Sequence, residues 1–112
     1  SFEELGAFMV AYDIDVANCS EKELNHEVTK YGRGFAQAGG VQAAVVNAIG
    51  DKYSNIHIEG LDKKNQALLK SMAKKPDAQF VEVMACDGGC INGPCSLAPL
   101  TLAKRQIKKV LE

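Results

Sequence analysis

The chain has no tryptophan, only three prolines and an aromatic content of 6%, so large aromatic side chains do not dominate its core. It also lacks an excess of either charge. Formal net charge is −1, which argues against a nucleic acid or an acidic membrane surface as partner. No apolar run is long enough to span a bilayer; the longest, around 41–49, is short and interrupted. The opening residues SFEELG contain neither a basic n-region nor an apolar h-region, so nothing suggests secretion. There is no internal repeat and no low-complexity segment. At 112 residues, 46% hydrophobic and 24% charged, the composition is that of one soluble globular domain, 1–112, able to bury a core. The chain starts without methionine, directly in a helical pattern, which suggests a segment of something longer. The expected compartment is the reducing cytoplasm, where cysteines serve as ligands more often than as disulfides.

Apolar residues at Phe2, Leu5, Phe8, Met9 and Tyr12 form a helical stripe. Ser20 to Glu23 is a capping-box pattern that predicts a short helix. Gly32, Gly34, Gly39 and Gly40 precede VQAAVVNAIG, a run apolar on most faces and expected to be a well-buried helix. Ile56 and Ile58 alternate with His57 and Glu59, a strand signal that turns His57 outward. Asp62 is a suitable cap for a helix with Ala67, Leu68 and Met72 inward and Pro76 closing it. Phe80–Met84 is a second strand, with Glu82 on the face opposite Val81 and Val83. Pro99 suits a first helical turn, followed by a stripe of Leu100, Ala103, Ile107, Val110 and Leu111. Lys104, Arg105, Lys108 and Lys109 make the solvated face of that helix. The expected fold is α/β: a small sheet with a parallel strand–helix–strand crossover between 55 and 84, flanked by helices, with a cysteine-rich loop after the last strand.

That loop concentrates the chemistry. Cys86, Cys90 and Cys95 share it with Gly88, Gly89 and Gly93. Glycines let a backbone wrap closely around a bulky group, and clustered thiolates are what a metal ion or iron–sulfur cluster requires. Three residues separate Cys86 from Cys90 and four separate Cys90 from Cys95, within the range of a zinc knuckle to which Cys19 would add a fourth thiolate. The bacterial ferredoxin spacing is absent. Spacing alone leaves metal ligation and a plain glycine-rich turn evenly balanced. Cys19 reads more simply as a structural or incidental thiol. The glycine pairs lack the strand-plus-GxGxxG order of a dinucleotide site.

Residue context breaks the tie. Glu82-Val-Met84-Ala-Cys86-Asp-Gly-Gly89-Cys90, with a strand before it and Gly93 behind, resembles the C-terminal signature of the iron-only hydrogenases. Tyr31-Gly-Arg-Gly34 followed by Gly39-Gly-Val-Gln-Ala-Ala-Val resembles the glycine pair that opens a buried helix in the same family. The resemblance covers about residues 1–100 and only the last part of a hydrogenase catalytic domain. It implies an oxidoreductase combining two protons and two electrons into hydrogen. Cys86 would ligate a 4Fe–4S cluster, and Cys90 would ligate that cluster and bridge it to a diiron unit, together the H-cluster. Met84 would pack beside it, and N–H groups of Gly88 and Gly89 would donate to its sulfides. Asp87 stands where typical members have proline, and Pro94-Cys95 where they have a glycine run, as in the less-studied and sensory branches. The resemblance places the other cluster cysteines in segments outside this chain. The implied partners are the N-terminal remainder of the catalytic domain and a ferredoxin-like electron carrier. The chain alone is expected to be inactive, its cysteine loop flexible and metal-free. The alternative is a non-catalytic iron–sulfur, zinc or redox-sensing module using Cys86, Cys90 and Cys95.

Overall fold

A computed structural model describes residues 1–23 and 27–111. Helix α1 spans Phe2–Ala11, started by a capping box in which the Ser1 side chain accepts from the Glu4 N–H. After a single 3-10 turn at Val16–Asn18 comes α2, Lys30–Arg33, capped by Thr29, whose Oγ1 accepts from the Gly32 N–H. Residues 20–23, expected to open a helix, are not helical, and residues 24–26 lie outside the described residues. A second 3-10 turn, Gly34–Ala36, leads to α3, Gly40–Ile49. Strand β1 is Asn55–Glu59, α4 is Lys63–Met72 and β2 is Phe80–Met84. A third 3-10 turn at Cys90–Asn92 precedes α5, Leu100–Leu111.

The two strands pair in parallel, from Asn55 opposite Phe80 to Glu59 opposite Met84, with α4 as the crossover between them. The Asp62 Oδ1 accepts from the Asn65 N–H at 2.7 Å, the cap expected from sequence. Strand alternation puts Asn55, His57, Glu59, Phe80, Glu82 and Met84 on one face and Ile56, Ile58, Val81 and Val83 on the other. Helix α3 meets the first face, where the Gln42 side chain hydrogen-bonds both Asn55 Oδ1 and His57 Nδ1. His57, expected to point outward, lies instead on the face that α3 meets, yet remains exposed there.

Burial is sparse. Among the described residues the buried large apolar side chains are Ile58, Met72 and Ile91. The radius of gyration is 17.1 Å, against about 13 Å for a compact chain of this length. The helix at 40–49 is therefore only half-buried. Gly40 is enclosed, while Ala43, Asn47, Ala48 and Ile49 are exposed: α3 meets the sheet, α2 and the Gly34–Ala36 turn, and its remaining surface is open among the described residues. In α4, Met72 is buried and Leu68 half-buried, but Ala67 is exposed. The stripe of α1 is bare: Phe2, Leu5, Phe8 and Tyr12 are each about half exposed or more. Pro99 sits just ahead of α5, its carbonyl accepting from the Leu102 and Ala103 N–H groups.

Candidate functional site

Strand β2 ends at Met84, half-buried on the α3 side of the sheet, and the chain then turns through Cys86–Cys90. The turn is built by its own backbone. The Gly89 N–H donates to the Cys86 carbonyl, the Asn92 N–H to the Gly89 carbonyl and the Gly93 N–H to the Cys90 carbonyl, each at 3.1 Å. The Asn92 side chain donates to the Asp87 carbonyl at 2.9 Å. The buried Ile91 anchors the 3-10 turn below. A loop expected to be flexible is thus hydrogen-bonded at nearly every residue, because the glycines permit turns that close on themselves.

Two glycines are required by geometry. Gly88 and Gly89 have φ of +81° and +88°, a region that L side chains avoid. A Cβ on Gly89 would lie 2.5 Å from the Ala38 nitrogen, so the loop is pressed against the segment that leads into α3. Gly88 is held from both sides. Its N–H donates to Glu59 Oε2 at 2.8 Å, and its carbonyl accepts from the Ala38 N–H at 3.2 Å. The N–H groups of Gly88 and Gly89, expected to face cluster sulfides, are thus committed to Glu59 and to the Cys86 carbonyl.

The thiols are disposed differently. All four cysteines are free. Cys86 is half-buried, and a Cβ on Gly93 would be 3.8 Å from its Sγ. Cys90 is exposed at the start of the 3-10 turn. Cys95 is also exposed, with a φ of +67° that strains any residue bearing a Cβ. Cys19 is exposed after the first 3-10 turn, its thiol donating to the Asp15 carbonyl at 3.3 Å. Among the described residues no three His, Cys, Asp or Glu side chains converge as a metal site. Cys86, Cys90 and Cys95 are thus not gathered into one metal-binding group among the described residues.

Asp87, whose burial would have carried a desolvation cost, is exposed. Glu82 is a buried carboxylate, 6% exposed, its Oε2 accepting from the Gln42 N–H at 2.9 Å and its Oε1 without a partner among the described residues. Glu82 lies on the face opposite Val81 and Val83, as the alternation predicts, and that face is enclosed there by α3. Two further residues escaped notice. Glu59 looked like the polar half of an alternating strand, yet it holds Gly88. Gln42 looked like one polar residue in an apolar helix, yet it ties α3 to both strands. The available signal was position: Glu59 ends a parallel strand, at the sheet edge where α/β proteins place their sites.

The chain is thus an α/β protein in which a parallel strand–helix–strand unit carries a glycine-clamped turn with two free thiols at the carboxyl edge of its sheet. Comparison with known proteins gives the family. The one described as "Iron only hydrogenase large subunit, C-terminal domain" matches residues 1–94, and the chain belongs to it. It is 36% identical over 73 residues to Iron hydrogenase 1 of Clostridium pasteurianum. That match covers 63% of this chain and 13% of the length of the relative.

Proposed function

We propose that this chain is the part of an iron hydrogenase that presents Cys86 and Cys90 to an H-cluster. The supporting observation is the hydrogen-bonded Cys86–Cys90 turn, which leaves two free thiols at the end of β2 in a chain of this family. The donor set fits: two thiolates on a turn without intervening bulk, in a site where no third ligand converges among the described residues. The remaining thiolates of a cubane come, in this reading, from the rest of the catalytic domain. When bound, the H-cluster would pass on electrons from an external carrier and provide the iron site at which two protons and two electrons become hydrogen.

The chain's own residues do the holding. Half-buried Cys86, beside Gly93, would be the more fixed of the two ligands, and exposed Cys90 would be the more accessible one. Met84 forms an apolar wall at the end of β2. Cys95 stays outside the ligand set. The bare stripe of α1 supports packing against the N-terminal remainder of the domain, since exposed apolar side chains on this scale are normally covered. Electrons arrive from a ferredoxin-like carrier or domain, and the whole works in the cytoplasm. Among the described residues no helix is long and apolar enough to cross a membrane.

The test is iron content and hydrogen turnover of the full-length protein, anaerobically reconstituted with iron and sulfide. Wild type is expected to hold several irons and to turn over hydrogen, and Cys86→Ser or Cys90→Ser to lose both. Full-length protein with neither iron nor turnover would overturn the reading. Stoichiometric zinc or iron in the 112-residue chain alone would favour the self-sufficient module instead.

A further inference from the structure

We infer that Glu59 is a positioning residue for the Cys86–Cys90 turn, and that its carboxylate sets both the geometry of the two thiolates and the electrostatics around them. This rests on the proposed role of those cysteines. The central peptide of the turn, at Gly88, lies between them, and Glu59 Oε2 accepts its N–H at 2.8 Å. The contact spans twenty-nine residues of sequence, so the local turn does not enforce it. A carboxylate acceptor makes this a charge-assisted bond, about twice as strong as one to a neutral acceptor.

Glu59 is itself immobilised. It ends β1 opposite Met84, and the Gly60 N–H donates to the Met84 carbonyl at 3.0 Å. The Asn65 side chain, one turn into α4, donates to the carbonyls of both Glu59 and Gly60, each at 2.9 Å. The next residue is fitted to the loop as well: Gly60 has a φ of +76°, and a Cβ there would stand 3.9 Å from the Asp87 Cβ. On the other side of the Gly88 peptide, the Ala38 N–H holds the carbonyl at 3.2 Å. The turn is thus gripped between the β1–α4 corner and the segment preceding α3. Among the described residues, Glu59 is the side chain in that grip that bonds the Gly88 peptide itself. A fixed negative charge beside the peptide linking two anionic ligands disfavours adding a further electron to the group they hold, which lowers its reduction potential.

Two substitutions separate the two effects. Glu59→Gln keeps an acceptor for Gly88 and removes the charge, whereas Glu59→Ala removes both. In reconstituted full-length protein, Glu59→Gln should retain wild-type iron with a reduction potential shifted upward, followed by EPR-monitored titration. Glu59→Ala should lose iron and speed exchange of the Gly88 amide by about tenfold or more, since a bond to a charged acceptor is worth roughly 1.5–3 kcal/mol. Iron-loaded wild type whose potential, iron retention and Gly88 exchange are unchanged in both variants would overturn this inference and leave the cluster assignment standing. Wild type that binds no iron would overturn both together.

Discussion

Gln42 and Glu82, forty residues apart, meet at the first turn of α3, where the Gln42 N–H donates to Glu82 Oε2 at 2.9 Å. The carboxylate satisfies one of the N–H groups that the first turn of a helix leaves free, and it pins α3 to the middle of β2. Its second oxygen is buried without a partner among the described residues. The chain thereby keeps a carboxylate inside one of its few enclosed regions, two residues before Met84.

Replacing Glu82 with alanine leaves the Gln42 N–H without its acceptor in a part-buried place, a loss of about 1–3 kcal/mol. Glu82→Gln, whose amide oxygen still accepts, should lose less. Urea unfolding of the full-length protein with both variants measures the difference.

Glycine-to-alanine changes should divide by surroundings rather than by φ alone. Gly50 and Gly89 have nearly the same φ, +83° and +88°, yet a Cβ on Gly50 meets nothing within 4 Å and one on Gly89 meets the Ala38 nitrogen at 2.5 Å. Gly50→Ala should therefore cost only the backbone strain of a region at positive φ and extended ψ that is essentially glycine's alone, about 1–3 kcal/mol. Gly89→Ala should cost more and lower iron retention as well, since the loop must lift from Ala38. Thermal unfolding and iron content separate the two.

Asp62→Ala removes the cap of α4 and should cost about 1 kcal/mol, with Asp62→Ser or Asp62→Asn restoring most of it. Because Asn65 both donates to Asp62 and holds the Glu59 carbonyl, the alanine variant should also speed exchange at Gly88. Amide exchange across the β1–α4 corner reads this directly.

Cys95 occupies a left-handed backbone conformation that glycine adopts freely. Cys95→Gly should be neutral to stabilising, by up to about 1 kcal/mol, after the greater freedom of glycine in the unfolded chain offsets part of the relief. Iron content should match wild type. A loss of iron in this variant would return Cys95 to the ligand set.

Sequence alone determined the elements and the family. Period-two alternation marked both strands, Asp62 marked the start of α4, and the spacing between the strands was long enough for a parallel crossover. Each of these is a local property, readable within a few residues. The order of methionine, cysteine, glycines and cysteine is likewise local, and it named the family before any contact was known. Burial was not legible, because the apolar stripe of α1 and the small residues of α3 record a wish to be covered without saying what covers them. The segment after Ser20 went astray for a related reason: a capping pattern starts a helix only when packing sustains it. Glu59 and Glu82 show the division most clearly. Both are ordinary polar positions in alternating strands, and only parallel pairing in this register, with α3 laid across one face, brings one carboxylate to Gly88 and encloses the other at Gln42. A hydrogen bond between residues twenty-nine or forty apart leaves no trace in local pattern; it exists because tertiary packing places an acceptor where a backbone donor had none.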